Sequence, residues 1–172
     1  MSWRLFETNN TSDLTGGFAN RDLAIMPVGS TTQALSVPGS STREIWFFTK
    51  ASDPDNGDWK DGDFSHKCRI TSGSSFIQIS SRIARVNSAG TIQEQGAATA
   101  EQTGSTGTLT FTHTGLTWTA GAASDRLLVK LICRNTAGTS KSITFGLGAS
   151  TDYVDSPFED LGLSQLALMG VA

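Results

Sequence analysis

Apolar and polar residues alternate along most of this chain, in short runs interrupted by Gly, Ser, Thr, Asn and Asp. Alternation with a period of two places successive side chains on opposite faces of an extended strand. The first strong run is 43–51. Ile45, Phe47 and Thr49 point one way, while Trp46, Phe48 and Lys50 point the other. Both faces start apolar, which predicts a central strand. Runs 66–71 and 75–86 follow and read as a strand pair joined at Ser72-Gly73-Ser74. Cys68 and Ile70 alternate with Lys67 and Arg69, and Ile77, Ile79 and Ile83 oppose Gln78, Ser80 and Arg82. Asn87-Ser88-Ala89-Gly90 predicts a hairpin turn into 91–94.

Further on, Leu109 and Phe111 alternate with threonines over 108–113. The longest run is 125–135, with Leu127, Val129, Leu131 and Cys133 on one face and Leu128, Lys130, Ile132 and Arg134 on the other. Ala137-Gly138 turns it into 140–147, where Ile143, Phe145 and Leu147 face inward. Weaker strands are expected at 23–28, 33–37 and 153–154, and 96–107 reads as a loop. Turns recur at roughly the 8–12-residue spacing of a sandwich, giving about eight to ten strands. Loops of very unequal length favour a jelly roll over an up-and-down barrel. The expected fold is an all-β, antiparallel β-sandwich of jelly-roll type. Residues 1–20 form an N-terminal arm or edge strand, 21–158 the sandwich, and 159–172 an apolar C-terminal arm.

Composition sharpens this picture. Of 172 residues, 61 are Ser, Thr or Gly, and only 17% are charged. Hydroxyl side chains must therefore supply much of the polar face. A chain this long can bury roughly 70% of its unfolded surface as one domain. Net charge −3 and the lack of a basic run argue against nucleic acid. Nothing approaches a membrane span. Residues 1–7 lack an apolar core of signal-peptide length, so synthesis in a cytoplasm without ordinary export is expected. Cys68 and Cys133 each fall in a strand, and buried thiols are the simplest reading, with one inter-sheet disulfide as the alternative.

Candidate chemistry is sparse. Asp53, Asp55, Asp58, Asp61 and Asp63 crowd one loop. Calcium takes six to eight oxygens, but the order does not follow an EF-hand, and Asp with Asn and Gly also builds ordinary turns. Trp59 beside them reads as a sugar-stacking platform or as a rim residue folded over the sandwich. His66 and His113 lie in no G-x-S-x-G or HExxH context, so no enzyme, cofactor or metal is expected. The ends are unusual. Trp3, Leu5 and Phe6 form an apolar start, and Leu161, Leu163, Leu166, Leu168 and Met169 an apolar finish. An apolar arm left in water is an aggregation hazard, so these residues are the expected assembly interface, with folding back onto the sandwich as the alternative.

Four segments carry a resemblance: Trp46-Phe47-Phe48-Thr49-Lys50-Ala51, the run Arg82-Ile83-Ala84-Arg85-Val86-Asn87-Ser88-Ala89-Gly90-Thr91-Ile92, Ser124-Asp125-Arg126-Leu127-Leu128-Val129, and Thr151-Asp152-Tyr153-Val154-Asp155-Ser156-Pro157-Phe158. Together, over about residues 43–158, they resemble β-rich virion proteins of tailed bacteriophages. The similarity is to jelly-roll cement (decoration) proteins of capsids and to related tail-appendage domains. It implies a non-enzymatic virion protein, commonly a homotrimer, that binds the major capsid protein across subunit junctions. The apolar tail has no counterpart in that pattern. The rival reading is a carbohydrate- or receptor-binding module using Trp59, Trp118 and the loop at Asp55 and Asp58.

Overall fold

The alternating segments become strands because each has one face that only another sheet can cover. The computed structural model describes residues 2–24, 29–50, 59–119, 121–122 and 124–159. Within them are β1 (Ser2–Thr11), β2 (Ala19–Ala24), β3 (Thr31–Val37), β4 (Thr42–Phe48), β5 (Gly62–Ser72), β6 (Ser74–Val86), β7 (Ile92–Gln95), β8 (Gln102–Gly104), β9 (Gly107–Leu116), β10 (Arg126–Asn135), β11 (Lys141–Leu147) and β12 (Tyr153–Glu159). Among the described residues there is no helix. The fold is an all-β sandwich of jelly-roll type.

Hydrogen bonds link the strands in the order β3-β11-β5-β12-β1-β2-β4-β10-β6-β7, with β9 beside β5 and β8 beside β6. Every pair is antiparallel except β2 with β4. The sheet folds over because one edge of β5 serves two partners. Residues 65–67 pair with β12, and residues 69–72 pair with β11. One branch carries β11 and β3. The other runs through β12, β1, β2 and β4 to β10 and β6, which come to face β3, β11 and β9. Between the layers lies one core, in which Phe47, Phe64, Phe111, Phe145, Ile77, Ile79, Val129 and Phe158 are all essentially shut from water. Each such side chain contributes about 1.5–3 kcal/mol. Cys68 and Cys133 lie in this core as free thiols.

The segment expected as an N-terminal arm or edge strand instead runs inside the sheet. β1 pairs with β12 on one side and β2 on the other. β12 carries Pro157, which has no N–H to give a ladder, and the register with β1 shifts across that point. Three connections are arches between layers: β3 to β4, and the two expected as simple turns, β5 to β6 and β10 to β11, each join strands that do not pair with one another. Gly73 is needed in the second arch, since a Cβ there would stand 2.2 Å from the carbonyl oxygen of Gly104. The hairpin at Asn87–Gly90 forms as expected, with Gly90 at φ +82° and its N–H donating to the Asn87 carbonyl at 2.9 Å.

The outer face of β4, β10 and β6 has its own small core. Phe48, Leu128, Ala84 and Val86 project outward there, and Leu14 packs on them. Residues 12–18 thus form a strap across the sheet. It passes so close to Trp46 that a Cβ on Gly16 would stand 2.0 Å from the indole ring. A two-pronged ion pair anchors it, Arg126 Nη1 to Asp13 Oδ1 at 2.6 Å and Nη2 to Oδ2 at 2.8 Å.

Candidate functional site

Four polar side chains from four strands meet inside the core. Glu7 of β1, His66 of β5 and Ser81 of β6 are wholly buried, and His113 of β9 is 3% exposed. Strand parity puts them there. Glu7 follows Leu5, His66 precedes Cys68 and Ile70, Ser81 follows Ile77 and Ile79, and His113 follows Phe111, each on the inward face. His66 Nε2 lies 2.7 Å from Glu7 Oε1, and His66 Nδ1 lies 2.7 Å from Ser81 Oγ. His113 Nε2 reaches the same hydroxyl at 3.1 Å. Ser81 is clamped through its backbone as well, donating its N–H to Thr99 Oγ1 at 3.0 Å and accepting the Thr99 N–H at 2.9 Å.

With Glu7 ionised, every contact is satisfied in one direction. His113 donates to the Ser81 oxygen, Ser81 donates to His66 Nδ1, and His66 Nε2–H donates to Glu7. With Glu7 protonated, the same chain is satisfied in reverse. Burial pushes the Glu7 carboxyl up, against the pull of His66. Burial, with His66 beside it, holds His113 down to about 4. Glu7 Oε2 has no hydrogen-bond partner. A hydroxyl donating to an imidazole that donates to a carboxylate is the donor order of a serine nucleophile site. In this closed conformation no substrate atom can reach Ser81.

The second candidate is at the rim. Trp59 packs against Trp118 and Phe158 with ring centroids 5.3 and 5.4 Å away, and Phe64 lies edge-on to Trp118 at 6.2 Å. Beside Trp118 opens a cleft of about 420 Å³ lined by Glu94, Gln95, Gly96, Gly115, Leu116 and Thr117. Its polar wall is fixed. Glu94 accepts the Thr119 N–H at 3.1 Å and the Thr119 hydroxyl at 2.6 Å, and Arg85 Nε donates to it at 3.2 Å. Burial raises the Glu94 carboxyl, but Thr119 and Arg85 outweigh it and the group sits below its ordinary range. Arg85 is held in turn by Asp125.

The structure treats the expected site residues unequally. Trp59 is only 9% exposed and belongs to the core, so it offers no open platform. Leu5 lies in the main core and Phe6 packs edge-on against Tyr153, so neither is available to bury area on a neighbour. Trp3 pairs with Ser156 through the backbone. Asp55, Asp58, Leu161, Leu163, Leu166, Leu168 and Met169 lie outside the described residues. Of the aspartate-rich loop, Asp61 accepts the Trp118 N–H and Asp63 the Gly115 N–H, each at 2.8 Å, which pins the end of β9. Among the described residues no three His, Cys, Asp or Glu side chains group to hold a metal ion. Sequence reasoning missed the buried four, although each is a polar residue in phase with an apolar stripe.

No protein-family profile matches this sequence, and no curated protein matches it. Among solved structures, a CocE/NonD family hydrolase from Staphylococcus aureus overlaps with a TM-score of 0.51 at 9% identity. The overlap covers 93% of this chain and 36% of the hydrolase, so this chain spans about a third of that protein's length. At that identity the likeness is one of fold. It corrects the expectation that the chain is not an enzyme, because the same architecture occurs within a hydrolase. The structure of infectious bursal disease virus, Gx strain, overlaps with a TM-score of 0.34 at 8% identity, over 94% of this chain and 53% of that one. A score so low carries no inference.

Proposed function

We propose that the chain is a structural protein of virions that acts as capsid cement, binding across neighbouring major capsid subunits as a homotrimer. One observation carries this reading. The described core is assembled by residues 5–158, yet the sequence continues from Leu161 to Val171 with seven apolar side chains against two polar ones, Ser164 and Gln165. Such a segment gains most by burial on a partner. Phe18 and Phe76, 53% and 48% exposed, add apolar area at the end of the sandwich where β4 and β6 begin. Repeated weak contacts of this kind become durable when many copies attach at once.

The test is deletion of residues 161–172. The truncated chain is expected to unfold at the same denaturant concentration as the whole one but to lose both trimerisation and particle binding. Undiminished particle binding would sink the reading.

The cleft beside Trp118 favours a second reading, a carbohydrate- or receptor-binding module. A half-buried indole next to fixed polar groups suits the apolar face and hydroxyls of a sugar ring. Binding to a glycan array that disappears in Trp118→Ala supports this reading, and an array with no signal removes it.

A further inference from the structure

β9 is held differently from the other long strands. It pairs with β5 along one edge. Toward β8 it is tied by Gln102 Nε2 donating to the Thr110 carbonyl at 2.7 Å, and toward β6 by His113 reaching Ser81 at 3.1 Å. The second contact joins β9 to a chain that ends on Glu7 of β1, so one line of hydrogen bonds connects β9, β6, β5 and β1. We propose that the Glu7–His66–Ser81–His113 chain is an acid-sensitive latch: with His113 neutral it fastens β9 to β6, and a proton taken up by His113 releases β9 and opens that side of the sandwich.

Desolvation drives the release. An imidazolium shut in the core has lost its hydration and has no carboxylate of its own, because Glu7 is engaged by His66. The titratable group acting on the chain from outside it is Asp152, itself held by Arg69, while Cys68 feels the charge of Glu7. Asp152 bears on Glu7 and Cys68, not on His113, whose one titratable neighbour is His66. The least costly way to hydrate His113 is to lift the strand that carries it, since of the four strands β9 alone pairs with a single neighbour.

The sign follows from linkage. His113 binds its proton near pH 4 in the folded chain and near its ordinary 6.5 when unfolded. Its contribution to stability is complete above pH 6.5 and declines as pH falls toward 4. Protonation of Glu7, raised by burial, works the other way by removing a buried charge. Of the two, only the His113 proton acts at the contact that ties β9 to β6.

The experiment follows both imidazoles by NMR from pH 7.5 to 3.5 while amide protection factors are measured strand by strand. Expected are a His113 that stays neutral in the folded chain down to about pH 4 and a β9 protection that falls progressively from about pH 6.5 to 4 while β10 stays protected. His113 titrating near 6.5, or β9 and β10 losing protection together, overturns the latch. His113→Gln keeps a donor for Ser81 and cannot be charged, so its β9 amides should remain protected at pH 4. The same acid-induced loss in that variant also overturns it. Should the variant not fold, the wild-type titration still decides.

Discussion

The side-chain amide nitrogen of Asn135 stands 2.9 Å from the carbonyl oxygen of Val37, and through it β10 holds β3 across the two layers. The same nitrogen lies 3.1 Å from the Pro38 carbonyl and 2.9 Å from that of Thr139, while Asn135 Oδ1 accepts the Ala137 N–H. One buried amide thus fastens two of the three arches. Asn135→Ala leaves several buried carbonyls without a donor and should cost about 2–4 kcal/mol. Asn135→Asp cannot donate and should cost at least as much. Urea denaturation checks both, and a change below about 0.5 kcal/mol would show that the arches hold themselves.

The strap gives a prediction with a pH signature. The Arg126 guanidinium holds the Asp13 carboxyl down to about 2. A depressed carboxyl stabilises the fold above its unfolded pKa and loses that contribution as pH falls through the folded one. Asp13 is 62% exposed, so solvent screening limits the pair to about 0.5–1 kcal/mol. Asp13→Asn should be less stable than wild type at pH 7 by that amount, and the gap should close between pH 4 and 2. Gly16→Ala should cost more, about 1–3 kcal/mol, because the added methyl meets the Trp46 ring. A gap in Asp13→Asn that does not close in acid would mean the ion pair is not its source.

The strands are legible because alternation is a local signal, and β4, β6, β9, β10 and β11 run where Ile, Leu and Phe recur at every second residue. Connectivity between layers is not. A Gly-Ser or Ala-Gly connection suits a hairpin and an arch equally, and it is the approach of Gly73 to Gly104 and of Gly39 to Gly138 that distinguishes them. β1 reads as an arm because Asn9 and Asn10 are weak strand formers, yet pairing with both β12 and β2 overrides that preference. The parallel β2–β4 pair leaves no mark in sequence. The buried chain is partly legible. His66, Ser81 and His113 each interrupt an apolar stripe in phase, which flags a buried polar group, but nothing local says that residues 7, 66, 81 and 113 meet.

Both cysteines should be chemically silent in the folded chain. Burial raises the Cys68 thiol well above its ordinary range, with Glu7, Cys133 and Asp152 adding to it, and burial pushes Cys133 up to about 12, with Glu44 adding. The thiolate is the reactive form. At pH 8 a thiol-reactive disulfide reagent should label neither cysteine until denaturant is added, and then both. Labelling of one thiol at native conditions would reveal an opening of the core that the closed sandwich does not allow.

Trp59 and Trp118 share a contact but should respond differently to truncation. Trp59 lies among Phe158, Trp118 and Arg85, with the guanidinium 5.9 Å from its ring. Trp59→Ala empties a closed site and should cost about 3–5 kcal/mol. Trp118 is half-buried and lines the cleft, so Trp118→Ala leaves a void that water can enter and should cost about 1–3 kcal/mol. Any glycan binding should vanish with Trp118 at a temperature where the variant is fully folded, whereas Trp59→Ala should weaken it only as the fold itself weakens. Equal stability losses in the two variants would contradict the placement of Trp59 in the core. Binding that survives Trp118→Ala would move the ligand away from the cleft.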